Sequence, residues 1–177
     1  MIRYAITDPL TLHFDSIQED LKRFAQNASM IVYRDKENLD YANYAKDFLE
    51  HAKGFEKVLL HADYLLAAHL GADGVHLMST QMDDIVAAKA LDLFVIISTH
   101  TLQELQLAEA LGADMVTLSP VFETPNKGEA LGIAVFKALV CEVNIPVIAL
   151  GGINLESQIE ACSQAGASGF ASIRYFA

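Results

Sequence analysis

Gly112-Ala113-Asp114-Met115-Val116-Thr117-Leu118-Ser119-Pro120 runs from a helix stop through a short apolar segment into a polar loop. Glycine can adopt the left-handed conformation that closes a helix. The run Met115–Leu118 then reads as a strand buried on both faces of a parallel sheet. The same phrase recurs as Gly71-Ala72-Asp73-Gly74-Val75 and as Gly166-Ala167-Ser168-Gly169-Phe170, each time joining a helix end to a strand start. Working outward from these three copies, strands are expected at Arg3–Thr7, Met30–Arg34, Lys57–His61, Gly74–Leu77, Leu93–Ser98, Met115–Leu118, Pro146–Leu150 and Gly169–Ile173. Helical patterns separate them. Thr101-Leu102-Gln103-Glu104 has the form of a capping box, Asn154 is placed to cap the next helix, and Leu102, Leu105 and Ala108 recur on one face.

Alternation of eight strands with helices predicts an α/β fold, a (β/α)8 barrel whose parallel strands are covered by their crossovers. At 177 residues the chain falls below the roughly 200 that such barrels ordinarily need, so its loops must be short. Only Arg174–Ala177 follow the last strand, so the eighth helix is expected to be missing or reduced to a turn. An open doubly wound sheet would use the same strand signals. No compositional break suggests a linker, and residues 1–177 are read as one domain.

A hydrophobic content of 53% suits a substantial core and excludes general disorder. Lys and Arg number 12 against 23 Asp and Glu, a net charge of −11 that opposes binding to nucleic acid or to anionic membranes. No apolar run approaches the ~20 residues of a membrane span, and Met1-Ile2-Arg3-Tyr4-Ala5 lacks the centre of a signal peptide, so a cytoplasmic protein is expected. Cys141 and Cys162 lack metal-type spacing and are read as buried free thiols.

Active groups in such barrels gather at the C-terminal ends of the strands. Here those positions hold Thr7 and Asp8, Arg34 and Lys36, His61 and Asp63, His76, Ser98 and His100, the loop Ser119–Lys127, and Gly151-Gly152. Arg34 and Lys36, two apart, can project to one side and meet a polyanion, or form a solvated pair with Asp35 and Glu37. The glycine pair lets backbone N–H groups approach an anion, or simply makes a turn. Asp63 is either a metal ligand or the cap of Tyr64-Leu65-Leu66. The loop offers Ser119, Thr124, Asn126 and Lys127 as phosphate or carboxylate ligands, or as ordinary surface groups.

Together these residues resemble the thiamin phosphate synthase/TenI family. The likeness rests on Tyr33-Arg34-Asp35-Lys36, on Asp63 followed by Gly71-Ala72-Asp73-Gly74-Val75-His76-Leu77, and on Ser98-Thr99-His100. It continues through Ser119-Pro120-Val121-Phe122-Glu123-Thr124 with Lys127, and Ile148-Ala149-Leu150-Gly151-Gly152-Ile153. In the family's synthases a hydroxymethylpyrimidine diphosphate loses pyrophosphate, and a thiazole phosphate nitrogen takes the resulting methylene cation. The resemblance implies that Arg34, Lys36 and Lys127 neutralise pyrophosphate, that Asp63 helps hold Mg²⁺, and that Ser98 meets the diphosphate or the pyrimidine. It further implies that Thr124, Asn126, Gly151, Gly152 and Arg174 surround the thiazole phosphate.

Departures from the family pattern cluster. Val32 stands for a glutamine, Ala62 for an asparagine, and Met78-Ser79-Thr80-Gln81 lacks the second magnesium carboxylate. Arg174 stands for a serine, and Pro120 for the histidine that some TenI-like tautomerases carry, leaving His100 or His76 as acid–base candidates. The readings that follow are a synthase, a thiazole tautomerase, or a non-catalytic thiazole or thiamin phosphate binder, all with small phosphorylated ligands. A sugar-phosphate epimerase is a further class, against which Arg34, Lys36 and the Thr124–Lys127 loop argue. An absent eighth helix would leave Tyr175 and Phe176 uncovered, which predicts a homodimer.

Overall fold

Eight parallel strands close on themselves in the computed structural model, which describes residues 1–125 and 127–177. They are β1 (Ile2–Ile6), β2 (Met30–Tyr33), β3 (Lys57–His61), β4 (Gly74–Leu77), β5 (Phe94–Thr99), β6 (Met115–Leu118), β7 (Val147–Leu150) and β8 (Gly169–Ser172). Their helices are α1 (Ile17–Ala25), α2 (Tyr41–His51), α3 (Tyr64–Leu70), α4 (Asp84–Ala90), α5 (Leu102–Leu111), α6 (Gly132–Val140) and α7 (Glu156–Gln164). Strand β1 pairs with both β2 and β8, with Tyr4 opposite Met30 on one side and Ala171 on the other. That closure removes the open-sheet alternative.

Side chains alternate between two layers, as the two-residue period of a strand requires. Tyr4, Ile6, Met30, Val32, Leu59, Ile96, Ile148 and Ala171 fill the barrel interior. Ala5, Ile31, Leu60, Val75, Val95, Ile97, Val116, Val147 and Phe170 face the helices. The recurrent phrase has a definite structural use. Its glycines are left-handed, with φ of +72° at Gly71, +88° at Gly112 and +94° at Gly166. Asp73 donates its N–H to Val58 O and accepts Val58 N–H through its carboxylate at 2.7 Å. Asp114 does the same with Val95, also at 2.7 Å, and adds an ion pair to Lys89. The third copy, with Ser168, keeps only the backbone bond, to Val147 O.

Three expectations are corrected. The cap of α7 is Leu155, because Gln158 Oε1 reaches back to accept from both Asn154 N and Leu155 N, and Asn154 lies outside the helix. Cys141, just past the end of α6, is exposed, whereas Cys162 is buried. After β8 the chain turns without forming a helix, as expected, but it does not leave the aromatic pair bare. Phe176 is only 4% exposed, stacked on Phe170 at 5.6 Å, while the hydroxyl of the half-buried Tyr175 meets Arg3 and Glu156. The aromatic pair thus covers the barrel face itself, and the uncovered patch invoked for a homodimer is absent at Phe176. Thr101 is the N-cap as expected, with Oγ1 accepting from Glu104 N, but the reciprocal half of the capping box shifts by one residue, the Glu104 carboxylate accepting His100 N–H.

Candidate functional site

A cleft of about 580 Å³ opens at the C-terminal ends of the strands and draws residues from the ends of every strand or the loops after them. Arg34, Lys36, His61, His76, Ser98, His100, Thr124, Lys127, Gly151, Gly152 and Arg174 all line it. Asp63 does not, and Asn126 lies outside the described residues. Among the described lining residues, four are cationic and one, Glu123, is a carboxylate. A shallower hollow of about 310 Å³ beside Phe14 and Tyr44 carries Asp8, Asp15 and Asp35, so anions are repelled there and drawn to the main cleft.

Arg34 and Lys36 leave β2 on a segment held by Thr7, whose buried hydroxyl donates to Val32 O and accepts Arg34 N–H, both at 3.1 Å. Neither cation, nor Lys127 or Arg174, forms an ion pair with a carboxylate among the described residues. The Lys36 ammonium is held below its ordinary pKa, first by the Arg34 guanidinium, then by partial burial, then by Lys127. Three positive groups therefore repel one another across the cleft until an anion neutralises them.

Behind the cations stand two histidines whose rings lie 6.2 Å apart. Burial pushes the His61 imidazole down to about 4, aided by Arg34 and Lys36. Burial pushes His76 down to about 3, aided by His61 and Arg34. Both are neutral at physiological pH. His76 is 3% exposed and has both ring nitrogens engaged, by Tyr4 Oη at 2.9 Å and Ser98 Oγ at 3.0 Å, so it has no free lone pair for a substrate. His100 is different. Its Nδ1 donates to Ser119 O at 2.8 Å, which leaves Nε2 as an acceptor on an exposed ring at the cleft.

The loop after β6 and the glycine pair after β7 are built together. Val121 N–H donates to Leu150 O, and Phe122 N–H donates to Gly151 O. A Cβ at Gly151 would stand 2.7 Å from Pro120 Cα, and one at Gly152 would stand 2.5 Å from Glu123 O, so side chains are excluded at both. With φ of +104° and +69°, both glycines also occupy conformations that L-residues avoid. The N–H groups of Gly151, Gly152 and Ile153 donate to no acceptor among the described residues, and all three residues line the cleft. That is a row of donors suited to an oxyanion. Thr124 currently donates its hydroxyl to Phe122 O at 3.0 Å.

The magnesium expectation meets a poor donor set. Asp63 is an exposed N-cap whose Oδ1 accepts Leu66 N–H at 2.8 Å. Gln81, in the place of the second carboxylate, donates to Ala62 O and to Asp84 Oδ2, each at 2.9 Å, and accepts Met78 N–H at 3.0 Å. Among the described residues no cluster of three His, Cys, Asp or Glu side chains is placed to hold a metal. Mg²⁺ prefers hard oxygen ligands in near-octahedral geometry, and these residues do not supply them. Residues that sequence reasoning passed over are Tyr4, Ser79, Thr80 and Glu123. Tyr4 alone carried a signal, a polar-tipped aromatic at a barrel-facing position of β1.

Among the described residues no helix is long and apolar enough to cross a membrane. A family model described as thiamine monophosphate synthase matches residues 3–176. The putative thiamine-phosphate synthase 2 of Aquifex aeolicus is 35% identical over 98% of this chain and 96% of its own. The thiamine-phosphate synthase of Syntrophomonas wolfei is 31% identical over 96% and 85%. Among solved structures, the thiamine phosphate pyrophosphorylase of Pyrococcus furiosus superposes with a TM-score of 0.82 at 27% identity, covering 97% of this chain and 85% of that one. Barrel, cationic cleft and near full-length similarity agree: the chain belongs to the thiamine monophosphate synthase family.

Proposed function

We propose that this barrel, residues 1–177 acting as one domain in the cytoplasm, joins hydroxymethylpyrimidine diphosphate to thiazole phosphate, giving thiamin phosphate and pyrophosphate. The observation that carries the reading is the set Arg34, Lys36 and Lys127, cations without acidic partners among the described residues on one cleft of a protein whose net charge is −11. Such a set is costly to keep unless a polyanion binds there.

In the proposed step the bond between the pyrimidine methylene carbon and the diphosphate oxygen breaks, and pyrophosphate leaves with the electron pair. The thiazole nitrogen then donates its lone pair to the methylene carbon and becomes the thiazolium of the product. Arg34, Lys36 and Lys127 stabilise the negative charge that develops on the leaving group. Ser98 contacts the diphosphate or the pyrimidine. Thr124, Gly151, Gly152, Asn126 and Arg174 surround the thiazole phosphate, the glycine N–H groups acting as its donors. Asp63 is committed to capping α3 and Gln81 to its own hydrogen bonds, a donor set that does not suit Mg²⁺.

Incubation of the purified chain with both substrates and Mg²⁺ tests this; absence of thiamin phosphate above background rejects it. A second reading, a thiazole tautomerase, is favoured by the free Nε2 of His100, a base of ordinary accessibility at the cleft. Failure to aromatise the thiazole tautomer removes that reading. Calorimetry with thiamin phosphate tests the non-catalytic reading, and no binding counts against every version that keeps the phosphate site.

A further inference from the structure

A hydrogen-bonded line runs up the barrel interior beneath the cleft, from Tyr4 Oη to His76 Nδ1 at 2.9 Å and from His76 Nε2 to Ser98 Oγ at 3.0 Å. Tyr4 is fully buried and its ring stacks on His76 at 5.7 Å with 26° between planes. Ser98, at the upper end, lines the cleft. A neutral imidazole has one N–H and one lone pair, so two assignments of protons are open to this line.

In one assignment Nδ1–H donates to Tyr4 and Ser98 donates to Nε2. The Tyr4 O–H is then left without an acceptor in a site sealed from water, because no other partner of Tyr4 Oη exists among the described residues. Leaving a buried donor unsatisfied is the expensive outcome. In the other, Tyr4 O–H donates to Nδ1 and Nε2–H donates to Ser98 Oγ. Every buried group is then paired, and the Ser98 proton is the one left over. Burial reinforces this arrangement by keeping the Tyr4 phenol protonated and the imidazole uncharged.

We infer that Tyr4 and His76 are positioning residues that keep the Ser98 hydroxyl proton free to donate into the cleft, where the opposite tautomer would commit it to His76. The partner suited to that proton is an acceptor, an anionic phosphate oxygen or a lone-pair nitrogen of a heteroaromatic ring. In the opposite assignment the Ser98 proton would be held by His76 Nε2 and only its oxygen would be offered to a ligand. The inference rests on the proposed function for the identity of the ligand, and on the line of three side chains alone for the direction of the protons.

Long-range ¹H–¹⁵N spectra of the ligand-free, full-length chain decide the direction. The His76 ring is assigned by its Overhauser contacts to the stacked Tyr4 ring, so no substitution is needed. The expected result is a protonated Nε2 and an unprotonated Nδ1; a protonated Nδ1 overturns the inference whether or not the chain proves to be a synthase. In a double-mutant cycle read by the affinity of inorganic pyrophosphate and of 4-amino-5-hydroxymethyl-2-methylpyrimidine, Ser98→Ala is expected to weaken the preferred probe about fivefold, the worth of one hydrogen bond. Tyr4→Phe is expected to weaken it similarly, and the double variant no further. Full additivity of the two changes overturns the inference. Failure of synthase activity with an Nε2–H tautomer sinks the proposed reaction and leaves the positioning role standing.

Discussion

Acidification tests the burial of His76 most directly. In the unfolded chain this imidazole titrates near its ordinary 6.5, and in the fold burial, with His61 and Arg34 behind it, holds it down to about 3. Above pH 6.5 the group is neutral in both states and contributes nothing to the pH dependence. As pH falls below that value the unfolded chain takes up a proton that the folded chain refuses, and stability is lost by about 1.36 kcal/mol per pH unit until the folded value is approached. At about pH 4.5, two units down, the loss assigned to His76 is about 2.7 kcal/mol, a large share of the 5–15 kcal/mol typical of a domain. The measurement is urea denaturation followed by circular dichroism at about pH 7 and about pH 4.5, for the wild type and for His76→Gln. Glutamine keeps hydrogen-bonding capacity without a proton to gain. Carboxylates and the other histidines titrate in both proteins, so the difference of differences isolates this ring. Wild type should lose about 2.7 kcal/mol more than the variant on acidification. Equal losses, within about 0.5 kcal/mol, would refute the claim that His76 is held neutral by burial.

Other consequences are as specific. Gly152→Ala places a Cβ 2.5 Å from Glu123 O at φ +69°, and should cost more than 2 kcal/mol in denaturation. Gly71→Ala, strained at φ +72° but with nothing within 4 Å, should cost only about 1 kcal/mol. Ala62 sits at φ +66°, so Ala62→Asn, with a residue that tolerates this region, should raise stability by about 0.5–1 kcal/mol in the same assay. Phe176→Ala should cost about 3 kcal/mol even in dilute solution, since its ring is covered by Phe170 of the same chain; a cost that appears only at high protein concentration would point to cover from a second copy. Arg34→Met should weaken pyrophosphate binding by about tenfold or more, as loss of a charge-assisted bond implies, while leaving the free protein equally or more stable because Lys36 loses a repelling neighbour. Unchanged affinity in calorimetry would remove Arg34 from the anion site.

Much of the barrel was legible because its signals are local. Three copies of glycine-alanine-acid or serine before a strand, two-residue alternation and helix-start patterns each depend on a few neighbouring residues. Strand positions Lys57–His61, Gly74–Leu77 and Met115–Leu118 were accordingly read to the residue. Boundaries slipped where the deciding bond is distant or the cap unusual. Asn154 yielded the cap of α7 to Leu155 because Gln158 folds back, and the chain terminus sealed the barrel with Phe176 on Phe170 instead of exposing it.

The candidate site divides along the same line. Residue types and spacing alone named Arg34, Lys36, Ser98, Lys127 and the glycine pair as a rim, and the resemblance to the family's synthases implied that a second magnesium carboxylate is missing. Only the closed barrel decides that Lys127 reaches the same cleft as Arg34, that Asp63 turns away to cap α3, and that Gly151 and Gly152 must lack side chains for the β6 loop to lie over them. The roles of the histidines belong wholly to tertiary structure, since an imidazole is identical in sequence wherever it stands. What separates His76 from His100 is burial and partners: one ring sealed between Tyr4 and Ser98, the other anchored to Ser119 O with a nitrogen left open. Periodicity and turn chemistry act over a few residues and can be read along the chain, whereas desolvation and convergence of charge arise only when distant segments meet.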